Sequence, residues 1–252
     1  MSARRSHLRT LLRAAYVAVN RILGTAGLRV IKLNTAVDLT DSLANVRALG
    51  VVPDCVFDIG VAAGTPELYA AFPDARYHLI DPLPASLPHM RRWAAKLDAD
   101  IIPSALGAQA GEATLEIRED LGGSTLYEDI AGDRTAPRVT VQMRRFDEMF
   151  GPDDLRGTTL VKIDVQGAEL DVLRGMGTLV SGVDLFVVEV SLLVAWHDAP
   201  HMDEVIAHLK GHGFVIYDIC GILRRPRDNA LAQLDLMLCK ASSPLVAEQQ
   251  WT

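Results

Sequence analysis

The segment Val56-Phe57-Asp58-Ile59-Gly60-Val61-Ala62-Ala63-Gly64-Thr65 constrains the fold of this chain more than any other stretch. An apolar run reaches an acid, two glycines follow, and Thr65-Pro66-Glu67 has the composition of a helix start. A buried strand, a tight turn and a helix in that order form the first half of a βαβ unit. Glycine has no Cβ, so such a turn lets backbone amides come close to a ligand. A second apolar run, Tyr77-His78-Leu79-Ile80, ends in Asp81, placed to accept hydrogen bonds from ribose hydroxyls. The spacing D-x-G-x-x-x-G differs from the G-x-G-x-x-G of dinucleotide sites. It points to S-adenosylmethionine, which has a ribose and an amino-acid half but no pyrophosphate.

From residue 51 onward strand-like and helix-like segments alternate. Strands are expected at 55–59, 77–81, 100–103, 113–118, 138–142, 159–163, 184–190, 214–219 and 233–239, and helices at 66–72, 84–97, 167–175 and 202–212. Leu160-Val161-Lys162-Ile163 and Leu185-Phe186-Val187-Val188 have the composition of strands buried on both faces of a parallel sheet. The order implies an α/β, doubly wound, Rossmann-like sheet with helices on both faces. The last two strands, joined by a loop with Arg224, Arg225 and Arg227, suit an antiparallel edge hairpin. Gly122-Gly123-Ser124-Thr125 is a glycine-rich loop able to fold over a ligand.

The charge is unevenly spread. Residues 1–32 hold seven basic residues (Arg4, Arg5, Arg9, Arg13, Arg21, Arg29, Lys32) and no acid. The remaining 18 of the 25 basic residues face all 32 acids, a formal −14 against −7 for the whole chain. Such a body is a poor match for nucleic acid. Leu8, Leu11, Leu12, Ala15, Val19, Ile22 and Leu23 recur at helical spacing, so residues 4–23 are expected to form a basic amphipathic helix. That helix can lie on an anionic membrane, cover the protein's own body or meet a second subunit. Residues 1–49 thus read as a lead-in, 50–240 as one domain and 241–252 as a tail.

Cys55, Cys220 and Cys239 lack C-x-x-C spacing and read as buried free thiols in a reducing compartment, with a cytoplasmic location expected. The longest apolar run, from Leu185 to Trp196, is interrupted by Glu189 and is too short to span a bilayer. Ala14 to Val19 is too short for a secretory signal.

Ligands of doubly wound sheets sit beyond the carboxyl ends of the strands. Here those ends carry Asp58 and Gly60, Asp81, Ser104, Asp164, and Glu189 with Ser191. In Lys162-Ile163-Asp164-Val165-Gln166-Gly167-Ala168-Glu169, the period of two puts Lys162 and Asp164 on one side of a strand. Glu169 falls in the first turn of the next helix, where its charge suits the helix N-terminus. Asp164 and Glu189 could share a divalent metal, yet no compact ligand motif supports a metal site.

The pairing of F-D-I-G-x-x-x-G with L-V-K-I-D-V-Q-G-A-E-L-D-V-L-R-G and V-V-E-V-S resembles the FkbM-type methyltransferases over residues 50–240. The resemblance implies a class I methyltransferase sheet, S-adenosylmethionine as donor, and O-methylation of a hydroxyl on a sugar, glycan or secondary metabolite. It places Asp58, Gly60 and Gly64 in the donor loop and Asp81 at the ribose; Ser104 joins them as a donor contact. This chain has Ala62 and Ala63 where the family commonly has an asparagine.

Asp164 is the first candidate to take the proton of the acceptor hydroxyl or to orient it. His197, in Trp196-His197-Asp198 beyond the strand ending near Glu189, is the second. Acceptor choice is expected of the 119–136 loop, the 192–202 loop and the Arg224-Arg225-Arg227 loop, whose charge suits an acidic acceptor. Two other readings compete: a nicotinamide-dependent oxidoreductase, and a non-catalytic module binding a nucleoside or a protein partner.

Overall fold

The computed structural model describes residues 18–19, 21–23, 25, 37–118, 121–127, 136–155, 157–193 and 196–248. The chain divides into residues 1–36 and residues 37–252. In the first unit, residues 18–19 and 21–23 are helical, and the rest of the basic segment 4–23 lies outside the described residues.

The second unit is built on a seven-stranded sheet. Strands β1 (Cys55–Ile59), β2 (Arg76–Ile80) and β3 (Asp98–Ile102) are followed by a small set, β4 (Ala105–Leu106), β5 (Gly111–Glu116) and β6 (Arg138–Arg144). The chain then returns to the main sheet with β7 (Thr159–Ile163), β8 (Leu185–Ser191), β9 (Phe214–Arg224) and β10 (Leu231–Lys240). The main sheet has the order β3-β2-β1-β7-β8-β10-β9. Its first five members run parallel, and β10 pairs antiparallel with both β8 and β9. The strand order reverses direction between β1 and β7, which opens a crevice at their carboxyl ends. This is the doubly wound sheet with an antiparallel edge hairpin that the alternation of segments implies.

Helices α1 (Leu39–Ala48), α2 (Pro66–Ala71), α3 (Leu87–Ala94), α4 (Phe146–Met149), α5 (Glu169–Met176) and α6 (Met202–Gly211) cover the sheet. Strand periodicity sorts the core into two layers. Phe57, Ile59, Val161, Ile163, Phe186 and Val188 pack with Leu170, Leu173 and Met176 of α5 and Val205 and Leu209 of α6. On the other face, Val56, Leu79, Leu160, Leu185, Val187 and Met237 pack with Leu43 and Val46 of α1 and Leu68 and Tyr69 of α2. Each fully buried side chain of this size contributes about 1.5–3 kcal/mol relative to exposure.

Four details depart from the sequence expectation. Helix α1, in the expected lead-in, belongs to the compact unit. Its Ser42 Oγ donates to Asp218 Oδ2 at 2.7 Å, and its Asn45 Nδ2 donates to the Tyr217 hydroxyl at 2.6 Å. At the other end of the chain, Leu245 of the expected tail is buried in the same layer as Leu43. Finally, β4, β5 and β6 form a separate sheet of order β4-β6-β5, and the expected helix 84–97 is a 3-10 turn followed by α3. Glu116 at the end of β5 pairs with Thr125, which folds the glycine-rich segment back along β5.

The three cysteines are buried and free, and burial pushes the Cys55 thiol up to about 11. No helix among the described residues is long and apolar enough to cross a membrane. Among the same residues no group of three or more His, Cys, Asp or Glu is placed to hold a metal ion.

Candidate active site

A cavity of about 630 Å³ opens at the carboxyl ends of β1, β2 and β7. This size is ordinary for a small-molecule site. Its walls are the turn from Gly60 to Thr65, Asp81 after β2, Ser104 after β3, and Lys162 and Asp164 at the end of β7. Leu121, Gly122, Ser124 and Leu126 of the glycine-rich segment form part of the wall, as expected of a loop folded over a ligand. That segment is pinned from outside: the Thr125 hydroxyl donates to the Gln166 carbonyl at 2.7 Å, and the Tyr127 hydroxyl donates to Asp171 Oδ2 at 2.8 Å.

The turn after β1 depends on its glycines. Gly60 has φ +85° and Gly64 has φ +111°, both in the region that favours glycine. A Cβ on Gly60 would stand 1.8 Å from the Asp164 carbonyl oxygen, and one on Gly64 would stand 2.0 Å from Trp93 Nε1. Trp93 closes the turn by donating its indole N–H to the Ala63 carbonyl at 3.0 Å. Asp81 holds the cavity side: Oδ2 accepts from the Ala62 amide at 2.7 Å and Oδ1 from the Leu83 amide at 2.8 Å. Each oxygen retains a lone pair for a ligand hydroxyl. Burial raises the pKa of Asp81, and the two amides oppose that rise.

Asp58 is placed differently from the expected donor contact. It is fully buried and outside the cavity wall, with Oδ2 accepting from Thr65 Oγ1 at 3.1 Å and from the Tyr69 hydroxyl at 2.5 Å. The physical reason is strand periodicity, which turns Asp58 toward the α2 face. From there it anchors the start of α2 beneath the turn, so Asp58 shapes the turn without reaching the cavity.

Asp164 faces the cavity, as the sequence places it. Its Oδ2 lies 3.2 Å from Lys162 Nζ, and its Oδ1 accepts from Gln166 Nε2 at 3.0 Å. Lys162 is a cavity residue that the sequence paired with Asp164 but did not nominate. Burial works against its ammonium, while Asp164 and Asp58 outweigh that effect and keep it charged. His89 also lines the cavity, and no pattern in the sequence marks it.

Beyond the cavity wall, Glu189 Oε1 accepts from Gln166 Nε2 at 2.8 Å and from Gln233 Nε2 at 2.6 Å. Glu169 caps the loop before α5, where its carboxyl accepts from the Val165 amide at 3.1 Å and the Gly167 amide at 3.0 Å. Burial nevertheless pushes the Glu169 carboxyl up to about 7.

His197 is not brought to the site. It is exposed, lies in the turn between Trp196 and Asp198, and takes no part in the cavity wall. Proximity in sequence to the end of β8 therefore misplaced it. Two arginines of the edge hairpin are spent on their own turn: Arg225 makes two bonds to Asp228, and Arg224 donates to the Asn229 carbonyl at 3.1 Å.

The arrangement fits a nucleoside-type ligand with an adjacent reacting group. The turn is a cradle that side chains would fill, and Asp81 and Asp164 line one cavity from the two strands that flank β1. The family described as methyltransferase FkbM domain matches residues 54–216. No curated protein matches the chain. Among solved structures, the Synechocystis magnesium protoporphyrin IX methyltransferase with bound SAM is similar at 14% identity, covering 80% of this chain and 78% of that one, with a TM-score of 0.45. The Geobacter metallireducens precorrin-6y C5,15-methyltransferase is similar at 9% identity over 79% and 85% of the two chains, with a TM-score of 0.41. Aeropyrum pernix fibrillarin, in complex with S-adenosyl-L-methionine, is similar at 14% identity over 77% and 74%, with a TM-score of 0.40.

Proposed function

The chain belongs to the FkbM methyltransferase family, and from that premise we propose that it methylates a hydroxyl oxygen of a sugar, glycan or secondary metabolite. S-adenosylmethionine is its methyl donor. One observation carries the reading: Asp81 and Asp164 open on the same cavity, so a donor held at one wall presents its reacting end to the other.

The bound donor supplies an electrophilic methyl group on a sulfonium, whose sulfur takes the C–S electron pair as the methyl leaves. The protein's part is placement. The Gly60–Gly64 turn offers backbone approach and Asp81 receives the ribose hydroxyls, while Ser104 lines the cavity with its hydroxyl directed at the Ala105 and Gln142 carbonyls, each at 3.0 Å. Holding an acceptor oxygen in line with the methyl accounts for about 7–11 kcal/mol of barrier reduction in favourable cases. Asp164 takes or orients the acceptor proton, a contribution of roughly two to four orders of magnitude. Lys162 and Gln166 fix its carboxyl from two directions, so it meets the acceptor already aimed.

Calorimetry tests the donor half: S-adenosylmethionine binds the unaltered protein, Asp81→Ala loses that binding, and NADH does not bind. Turnover tests the second half. Full activity and unchanged pH dependence in Asp164→Asn would remove Asp164 from its role.

A further inference from the structure

We propose that residues 4–23 are a membrane-docking element, a basic amphipathic helix that lies in the plane of an anionic lipid surface and holds the protein there. The inference stands apart from the methyl-transfer reading and does not depend on it.

The first observation is the division of charge. The first acid of the chain is Asp38, and every residue before it is neutral or basic, with Arg4, Arg5, Arg9, Arg13 and Arg21 inside the segment. The chain divides structurally at nearly the same place, after residue 36. A helix that only covers a core has no reason to exclude acids from its solvent side. Helix α1, which does cover the core, carries Asp41 as well as Arg47. Attraction to phosphate headgroups gives the exclusion a purpose, since each acid would cancel one arginine.

The second is the shape of the apolar face. At about 100° per residue, Leu8, Leu11, Leu12, Val19, Ile22 and Leu23 fall within an arc of about 120°. Val17 is the one large aliphatic residue of the segment outside it, and Arg4 falls inside it only at the first turn. Arg5 and Arg9 border the arc, where an apolar stem can follow the boundary while the guanidinium reaches a headgroup. Nucleic acid would answer the charge and leave the arc without a partner. A bilayer interface answers both. Arg9, Arg13 and Arg21 interrupt the apolar sequence, so the segment suits lying on a bilayer and not crossing it.

Exposure is the third. Residues 18–19 and 21–23 are helical, and there Val19 is 44% and Ile22 70% exposed. In α1 the apolar Leu43 and Val46 are fully buried. Moving Val19 and Ile22 from water into a lipid interface gains hydrophobic stabilisation that the fold leaves unused. The acidic body would be repelled by the same surface. Residues 24–36 also lack acids and reach up to about 40 Å when extended, several times the screening length of about 8 Å at physiological salt.

The test uses the full chain. The protein is mixed with vesicles of phosphatidylcholine alone, or of phosphatidylcholine and phosphatidylglycerol in equal parts, and separated by flotation. It should float with the anionic vesicles only, and less as salt is raised. Arg9→Gln combined with Arg13→Gln should weaken binding by about twenty-fivefold, roughly fivefold for each charge. Leu12→Asp should abolish binding and leave the melting temperature and the mass in solution unchanged. The proposal is overturned by equal flotation with both kinds of vesicle, by flotation with neither, or by arginine variants that bind as the unaltered protein does. A lowered melting temperature in Leu12→Asp would assign the apolar face to the protein's own body, and a lowered mass would assign it to a second copy of this chain; either result overturns the proposal as well.

Discussion

Lys162 and Asp58 stand opposite each other in register on β7 and β1, and Lys162 Nζ lies 3.6 Å from Asp58 Oδ1. That oxygen makes no hydrogen bond and is enclosed, so the Lys162 ammonium is what offsets its charge. The same ammonium reaches Asp164 at 3.2 Å. One cation thus serves the carboxylate beneath the turn after β1 and the carboxylate in the cavity wall.

Lys162→Met should consequently be among the most damaging single changes in the sheet. It keeps the volume of the stem but leaves Asp58 buried without a counter-charge. Removing one partner of a buried pair costs about 3–5 kcal/mol. Urea unfolding should show a loss of that order, and donor affinity should fall because Asp58 also holds Thr65 and Tyr69 in place. A loss below 1 kcal/mol, the range of exposed pairs, would show that Asp58 does not depend on Lys162.

Glu169 gives the protein a pH dependence of definite sign. Its carboxyl is raised from 4.5 to about 7 in the folded state. Between these values the unfolded chain releases the proton and the folded chain keeps it, so stability falls as pH rises. At about 1.4 kcal/mol per pH unit the difference amounts to about 3 kcal/mol across the interval. Glu169→Gln keeps an acceptor for the Val165 and Gly167 amides and removes the titration. Denaturation of both proteins at pH 5 and pH 7.5 should show a steeper decline in the unaltered protein. Parallel declines would mean that Glu169 is ionised throughout.

Ala62 lies at φ +46° in the turn after β1. Asparagine and glycine tolerate that conformation, whereas an alanine Cβ crowds the following carbonyl at a cost of about 1–2 kcal/mol. An alanine here therefore strains the backbone of the turn. Ala62→Gly should leave the amide bond to Asp81 intact and raise the melting temperature by about 2–4 °C. A lower melting temperature would mean that the alanine methyl packs usefully in the cavity wall.

Much of this architecture is legible in the sequence because buried parallel strands leave a continuous apolar run with a polar residue at its end. Asp81 and Asp164 follow such runs directly, and both face the cavity. Asp58 shows the limit of that rule. It precedes the end of β1, and only the position of Tyr69 on α2 reveals which face it serves. Helix α1 is hidden for a related reason: half of Leu39–Ala48 is polar, and its Leu43 and Val46 gain meaning only against the core layer they join. The separation of β4, β5 and β6 from the main sheet depends on pairing between distant segments, which local pattern does not encode. Lys162 and Gln166 lie in the most distinctive motif of the chain, yet their roles emerge only when β1 and β8 are placed on either side of β7.

Gly60 and Gly64 should respond differently to the same substitution, because different atoms block the added methyl group. At Gly64 the obstacle is the edge of the Trp93 indole, a side chain on α3 that can rotate away. Its displacement would break the bond to the Ala63 carbonyl and loosen the turn. Gly64→Ala should fold, shift the tryptophan fluorescence and bind donor at least about tenfold more weakly, the loss of one well-placed hydrogen bond plus strain at positive φ. At Gly60 the obstacle is the Asp164 backbone carbonyl, locked between β1 and β7 where the Asp164 amide also bonds Ile59. Nothing there can rotate, so Gly60→Ala must part the two strands at the mouth of the cavity. Its melting temperature should fall well below that of Gly64→Ala. Equal losses in stability would mean that the close approach of Gly60 to Asp164 is not what joins the two halves of the site.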